Sequence, residues 1–275
     1  MNRLARKYSR LRKIISRYGK LIVAYSGGVD STLLLRVASD VLGDNVLAVT
    51  ARSATYPRGE MEHAAKMARK INTRHIVIDS DELSDEKFLR NPVDRCYWCK
   101  LSLLGKLKAV ARREGIPYVA EASHLTDARD YRPGEKAVRE MGAVSPLREA
   151  GLDKEDIRRL SRMLGLSCWN KEAMPCLASR FPYGERIEEE KLVRVGEAEI
   201  YLKRRGFKNV RVRCEAETAR IEVDAAQLGR FFRRAMRRDV VRKLKRLGFM
   251  YVSVDLEGYR TGSLNAALSR QTLRK

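Results

Sequence analysis

The chain has 275 residues, with 57 lysines and arginines against 35 aspartates and glutamates, giving a formal net charge of +22 at pH 7. A hydrophobic content of 44%, with apolar runs such as Leu21-Ile22-Val23-Ala24, excludes a disordered chain, because disorder combines high charge with low hydrophobicity. The length suits two modest domains, no apolar stretch approaches the ~20 residues needed to cross a bilayer, and residues 1–20 carry no apolar signal region, so a soluble, cytoplasmic protein is expected.

The excess positive charge points to anionic partners without choosing among nucleotides, phosphorylated metabolites and nucleic acid. Arg3, Arg6, Lys7, Arg10, Arg12, Lys13, Arg17 and Lys20 recur around Leu4, Leu11, Ile14 and Ile15. That spacing predicts an amphipathic helix with a basic solvent face over residues 1–20. A short apolar strand at 21–25 then leads through Ser26-Gly27-Gly28 into a buried helix at 32–42. Further strands are predicted at 46–50, 75–79 and 117–120, with helices at 60–71 and 97–113, the latter stopped by Gly115. Such alternation builds βαβ units and a parallel sheet covered on both faces, whose ligands sit beyond the carboxyl ends of the strands. Ser26, residues 50–53, Asp79 and the loop after Ala120 are therefore expected to converge on one site.

After Ser179-Arg180-Phe181-Pro182-Tyr183-Gly184 the pattern changes. A charged helix is predicted at 187–205, strands of period two at 209–214 and 219–224, a basic helix at 227–247 and a last strand at 249–255. The fold class is thus an α/β parallel-sheet domain over 1–183 followed by a smaller α+β domain over 184–275. In the second domain Arg211 and Arg213 oppose Val210 and Val212, and Arg220 and Glu222 oppose Ile221 and Val223, a polar face open to two readings, ordinary solvated surface or a basic edge for an anionic ligand.

Ser26-Gly27-Gly28-Val29-Asp30-Ser31 stands where the first strand turns into the first helix of the sheet. Glycines let backbone N–H groups close on an anion, the serines add hydroxyl donors, and the helix points its positive end at phosphate. No lysine follows the glycines, so this is not the GxxxxGK[ST] loop. The run resembles the pyrophosphate loop of the ATP pyrophosphatase (PP-loop, adenine nucleotide α-hydrolase-like) superfamily, whose members cleave ATP to AMP and pyrophosphate to activate an oxygen of the substrate. The resemblance implies ATP at Ser26, Gly27, Gly28, Asp30 and Ser31, with Mg²⁺ near Asp30 because a hard cation prefers carboxylate oxygen. It places the adenosine at residues 50–53, which include Arg52 and Ser53.

An odd count of cysteines, Cys96, Cys99, Cys168, Cys176 and Cys214, argues for thiols or metal ligands over a disulfide framework. Cys214 continues an alternation that faces the core, and Cys168 reads as buried. Cys96-Tyr97-Trp98-Cys99 is open to a redox pair, half a zinc site or part of an iron–sulfur site. Cys176, in Met174-Pro175-Cys176-Leu177-Ala178-Ser179-Arg180, reads as a loop thiol near a cation.

Together these segments resemble the LarE family of ATP-dependent sulfurtransferases acting on pyridinium-3,5-biscarboxylic acid mononucleotide in assembly of the nickel-pincer nucleotide. The likeness rests on Ser26 to Ser31, Asn91-Pro92-Val93-Asp94-Arg95-Cys96-Tyr97-Trp98-Cys99-Lys100 and Asp130-Tyr131-Arg132-Pro133-Gly134. It continues through Pro175 to Arg180 and Ala219 to Val223 to Asp255-Leu256-Glu257-Gly258-Tyr259-Arg260-Thr261-Gly262-Ser263. It implies adenylation of a substrate carboxylate, with Cys176, Ser179 and Arg180 at the catalytic centre and Arg180 nearest the anionic substrate. In one branch the cysteine is sacrificed as dehydroalanine. In another, three cysteines hold a [4Fe–4S] cluster, and Cys96, Cys99 and Cys176 match that triplet. A homo-oligomer supported by the second domain is also implied; the alternative is a transfer-RNA thiolation enzyme of the same superfamily, which leaves nucleic acid open as the less expected partner. One loop departs: Glu121-Ala122-Ser123-His124 precedes Asp127 where the family has an Asp-Gly-Thr-Asn run, which weakens the assignment of Asp127 to the site.

Overall fold

The computed structural model describes residues 3–57, 59–129, 132–172, 174–260 and 262–268, so Asp130, Tyr131 and Thr261 of the motifs above lie outside the described residues. In chain order the elements begin with α1 (Arg3–Ser16), β1 (Leu21–Ala24), α2 (Val29–Leu42), β2 (Val46–Arg52), α3 (Glu60–Ile71) and β3 (Arg74–Asp79). There follow α4 (Glu86–Leu89), α5 (Arg95–Glu114), β4 (Tyr118–Ala120), α6 (Gly134–Glu140), α7 (Pro146–Glu149) and α8 (Lys154–Met163). The last are α9 (Glu189–Arg204), β5 (Arg211–Glu215), β6 (Thr218–Glu222), α10 (Arg234–Arg246) and β7 (Tyr251–Val254). Among the described residues no helix is long and apolar enough to cross a membrane.

The chain packs as two compact units: Met1–Ser53, Arg58–Glu82 and Asp94–Met174 form one, and Ala54–Pro57, Leu83–Val93 and Pro175–Lys275 form the other. This division falls at 174/175, ahead of the 183/184 boundary expected from the sequence, and two short segments join the C-terminal unit. Asn91 ties one of them in, donating from its side-chain amide to the Pro182 carbonyl at 2.6 Å.

The first unit is a four-stranded parallel sheet in the order β3-β2-β1-β4. β1 and β2 lack polar alternation because both of their faces are covered. Leu21 and Val23 enter a core with α1, α2, α3 and α8, whereas Ile22, Leu47 and Val49 pack with Leu104, Leu107 and Val110 of α5 on the other face. Cys168 joins the first core. Strand order reverses between β1 and β4, so the crevice beyond their carboxyl ends is flanked by the Ser26–Ser31 loop and the loop after Ala120.

The second unit holds the sheet β5-β6-β7, in which β5 and β6 are antiparallel and β6 and β7 parallel. The basic helix predicted at 227–247 is two pieces. A 3₁₀ segment, Ala225–Phe232, ends in extended backbone at Arg233 before α10 begins. Gly229 weakens a continuous helix, and Phe231 turns inward to stack on Phe207 with ring centroids 4.6 Å apart. Cys214 is buried as its alternation requires, and burial pushes its thiol up to about 11.

Candidate functional site

In the first unit the loop after β1 is shaped by what its residues lack. Gly28 precedes α2 and offers no side-chain cap, so the first N–H groups of α2 stay available to an anion. Gly27 holds φ +72°, and a Cβ there would lie 2.9 Å from Cα and Cβ of Ala64, so the loop runs against α3 in a path open only to glycine. The Ser26 and Ser31 hydroxyls lie 3.1 Å apart, and the Ser31 hydroxyl also donates to the Gly28 carbonyl at 3.3 Å. Thr50 Oγ1 donates to the Tyr25 carbonyl at 2.7 Å and so must accept from His75 Nε2 at 2.8 Å. Burial lowers the pKa of that imidazole, which keeps it neutral.

Across the crevice, Asp30 accepts both its contacts from Lys154 Nζ, at 2.6 and 2.7 Å. Lys154 opens α8, whose start is fixed by the reciprocal Asp153–Asp156 capping box and by Lys154 N–H donating to Thr126 Oγ1. His124 Nε2 stands 3.9 Å from Asp30 and 3.5 Å from Asp127. Asp127 is buried, accepts from the His124 backbone N–H at 2.9 Å and pairs with Arg132 at 2.8 Å. Burial lowers the His124 pKa against the opposing pull of the two carboxylates, and its Nδ1 is buried without a hydrogen-bond partner. The loop that departs from the family thus brings Asp127 to Asp30 through a histidine.

Arg52 and Ser53 lie at the end of β2. Exposed Arg52 pairs with Asp79 at 2.6 Å, and Ser53 Oγ donates to Glu82. These pairs anchor the strand ends where the resemblance places adenosine.

Cys96 and Cys99 occupy the first turn of α5, three residues apart and so on neighbouring positions of one helix face. Cys96 is exposed and Cys99 half-buried, and among the described residues none of the five cysteines forms a disulfide. Gly134 approaches this turn so closely that a Cβ would lie 3.3 Å from the Cys96 carbonyl. Lys100, next to Cys99, donates to buried Glu121 at 2.7 Å, and Glu121 also accepts from the hydroxyls of Ser123, at 2.6 Å, and Ser145. The pair ties the cysteine turn to the end of β4. Burial alone would raise the Glu121 pKa, but the Lys100 charge and these hydrogen bonds hold it below the usual carboxylate range. Its stabilisation is therefore complete above pH ~4.3 and lost as pH falls through the depressed value. Glu121→Gln should cost about 1–3 kcal/mol at neutral pH and flatten the acid limb of stability, as read by denaturant unfolding at a series of pH values.

In the second unit Cys176 precedes a 3₁₀ turn, Leu177–Arg180, and is half-buried. Its carbonyl accepts from the Ser179 N–H at 3.0 Å and the Ser179 hydroxyl at 2.8 Å. Arg180 Nη1 donates to Ser179 Oγ at 2.7 Å and lies 3.4 Å from the Cys176 carbonyl. Leu177 N–H donates to the Thr55 carbonyl at 2.7 Å. The backbone of the cysteine is held from both sides.

Arg180 is 0% exposed and forms a two-pronged pair with Glu199 of α9, at 2.7 and 3.0 Å. The residue expected nearest the substrate faces inward. Arg213 binds Glu222 at 2.9 and 2.8 Å and donates to the Ser179 carbonyl and to Ser263 Oγ, each at 2.8 Å. Arg211 stacks over Tyr259 with its guanidinium 4.9 Å from the ring centroid. Three residues of the polar face of β5 and β6, Arg211, Arg213 and Glu222, are accordingly buried at 5%, 7% and 1% exposure, while Arg220 stays half-buried and pairs with Glu215 and Asp255. Charge alternates with apolar residues there because each arginine has an internal partner. Sequence reasoning missed Lys154 and Glu199: both sit in charged helices whose composition reads as solvated surface.

A family model described as NAD synthase matches residues 5–94, the segment that contains the Ser26–Ser31 loop. An uncharacterised protein of Synechocystis sp. is 44% identical over 267 residues, covering 97% of this chain and 100% of that protein. The pyridinium-3,5-bisthiocarboxylic acid mononucleotide synthase of Lactiplantibacillus plantarum is 39% identical over 274 residues, 99% of each chain. The chain belongs to the LarE family. It is accordingly an enzyme of the sulfurtransferase class with the PP-loop fold. A glutamine-hydrolysing GMP synthase chain of Thermoplasma volcanium is a more distant match, 26% identical over 163 residues, 54% of this chain and 52% of that one. Likeness to that enzyme is confined to about half the chain, whereas the LarE likeness runs through both units.

Proposed function

We propose that this LarE-family chain transfers sulfur to a carboxylate of pyridinium-3,5-biscarboxylic acid mononucleotide at the expense of ATP. The full-length, 39% identical synthase carries this reading, since the phosphate loop alone is common to many ATP-cleaving enzymes. The loop at Ser26–Ser31 and the start of α2 bind the phosphates, and Arg52 and Ser53 border the adenosine. A substrate carboxylate oxygen attacks the α-phosphorus, pyrophosphate leaves, and the acyl adenylate forms. A sulfur nucleophile then attacks the activated carbonyl, AMP departs with the former carboxylate oxygen, and the product is a thiocarboxylate. Lys154 and Arg132 offset the carboxylates that face this crevice.

Asp30 is the residue that would hold Mg²⁺, which keeps several waters and needs only one or two carboxylates beside substrate phosphates. Cys96, Cys99 and Cys176 are the residues that would hold a [4Fe–4S] cluster. Cysteines at i and i+3 of one helix face suit thiolate ligation, although among the described residues no three His, Cys, Asp or Glu side chains are gathered as a metal site. A cluster held by these residues would supply sulfide-level sulfur for the attack on the activated carbonyl. Ser179 and Arg180 act as positioning residues, fixing the Cys176 backbone. The C-terminal unit carries exposed Phe232, Met250, Tyr251 and Leu256, which supports the proposed homo-oligomer, and Tyr251→Glu should lower the mass measured by light scattering.

Pyrophosphate–ATP exchange tests the activity. Stimulation by the pyridinium biscarboxylate and not by transfer RNA is expected, and the reverse pattern would replace this reading with a transfer-RNA thiolation enzyme of the same superfamily. Anaerobic reconstitution tests the sulfur source. Cys99→Ala should lose the charge-transfer absorption and most of the iron of the parent protein. A parent that binds no iron and accumulates dehydroalanine at Cys176 after turnover would assign the sacrificial route instead.

A further inference from the structure

The function proposed above leaves the basic N-terminal helix unused. Its apolar residues Leu4, Leu11, Ile14 and Ile15 enter the core of the first unit, and Lys7 is neutralised by Asp156. Arg6, Arg10, Lys13 and Arg17 are all exposed and form no ion pair with a described residue. At 3.6 residues per turn Arg6, Arg10 and Lys13 fall within about 60° of one another along α1, and Arg17 follows directly after its last residue. The row lines an open groove of about 530 Å³ with Ser9, Ile14 and Glu149. Glu149 is its only acid among the described residues, and Tyr18 donates to it at 3.4 Å.

We infer that this groove is a docking surface for the phosphate backbone of a single-stranded nucleic acid. A protein partner would need a desolvated apolar or aromatic anchor, and the groove offers only Ile14. A small phosphorylated ligand would be held by convergent, largely buried polar groups, whereas these cations are exposed and spread along a line. An extended polyanion matches a linear row of exposed charges, and release of its counterions supplies the affinity. Contacts to phosphate carry no sequence information, so binding through this row is sequence-independent.

The test uses the full chain and a fluorescently labelled 20-nucleotide RNA without self-pairing, followed by anisotropy from 50 to 300 mM salt. Replacing Arg6, Arg10, Lys13 and Arg17 together by Gln should weaken binding at least 30-fold at 100 mM salt and reduce the slope of log K against log salt by about 3. A charge-matched control, Arg234, Arg237, Lys245 and Arg246 to Gln on exposed positions of α10, should leave both within 3-fold. Equal losses in the two variants, or no loss in the first, overturn the proposal. So does a polyglutamate of equal charge that binds as tightly as the RNA and with the same dependence on the α1 row, because it would mark an acidic protein partner. Unchanged thermal unfolding and pyrophosphate–ATP exchange in both variants are expected, since every replaced side chain is exposed.

Discussion

Glu199→Ala should lower the stability of the chain by about 3–5 kcal/mol, because it strands the fully buried Arg180 guanidinium without its counter-charge. For a protein of this size that corresponds to a fall of about 10 °C in the unfolding midpoint. Sulfur transfer should fall further than stability explains. Glu199 Oε1 accepts from Arg180 Nε and also from the Val212 N–H at 3.0 Å, so it links α9, β5 and the Cys176 turn in one network. Pyrophosphate–ATP exchange, which depends on the first unit, should survive in the folded fraction. The double variant Arg180→Met with Glu199→Leu separates the two effects. An apolar pair of similar volume can match a buried ion pair in stability, but the Val212 N–H loses its acceptor, so the midpoint should recover in part. Sulfur transfer should stay at least 10-fold down, because the donor that steadies Ser179 and the Cys176 carbonyl is gone. Full recovery of both would show that the pair is merely structural and would remove Arg180 from the positioning of Cys176.

The sheet of the first unit was legible because its strands are short apolar runs separated by helices that end in glycine, as Gly43 and Gly115 do. Periodicity located Glu60–Ile71 without error and missed the start of α2 by three residues, since Val29 follows two glycines that read as loop. The phosphate loop and the cysteine turns were visible as compositions. The ionic supports were not. Lys154 and Asp30 are separated by 124 residues, Arg180 and Glu199 by 19, and no local pattern distinguishes a charged residue that turns inward from one that meets water. The alternation of β5 and β6 was read correctly as two faces, but period two cannot say whether a polar face is solvated or covered, and here Ser179, Ser263 and Tyr259 meet it. Burial of Arg211 and Arg213 is thus a property of chain segments far off in sequence. The same limit applies to α1, whose exposed row of cations looked identical to Lys7 until Asp156 was found beside the latter.

The strictest requirement in the proposed ATP site falls on Gly27. Gly27→Ala should reduce pyrophosphate–ATP exchange at least 100-fold while the protein remains folded. An L-residue at φ +72° costs roughly 1–2 kcal/mol, and the new methyl group would also lie 2.9 Å from Ala64 Cα and Cβ, with the Ala64 nitrogen at 3.2 Å. Relief requires the loop to move off α3, which turns the N–H groups of the loop and of α2 away from the phosphates they are proposed to bind. Preorganised donors lose their value when displaced by even an ångström, because the anion must then be met by water or by a strained backbone. The second variant, Gly27→Ala with Ala64→Gly, removes the contact with Ala64 Cβ and leaves the contact with its Cα and the positive φ. It should therefore recover stability in part and exchange by no more than about 10-fold. Calorimetric titration with ATP and Mg²⁺ supplies the independent readout: affinity should fall in parallel with exchange in Gly27→Ala, since the loop acts on phosphate binding before any carboxylate is adenylated. A Gly27→Ala protein that binds ATP as the parent does would exclude this loop as the phosphate cradle.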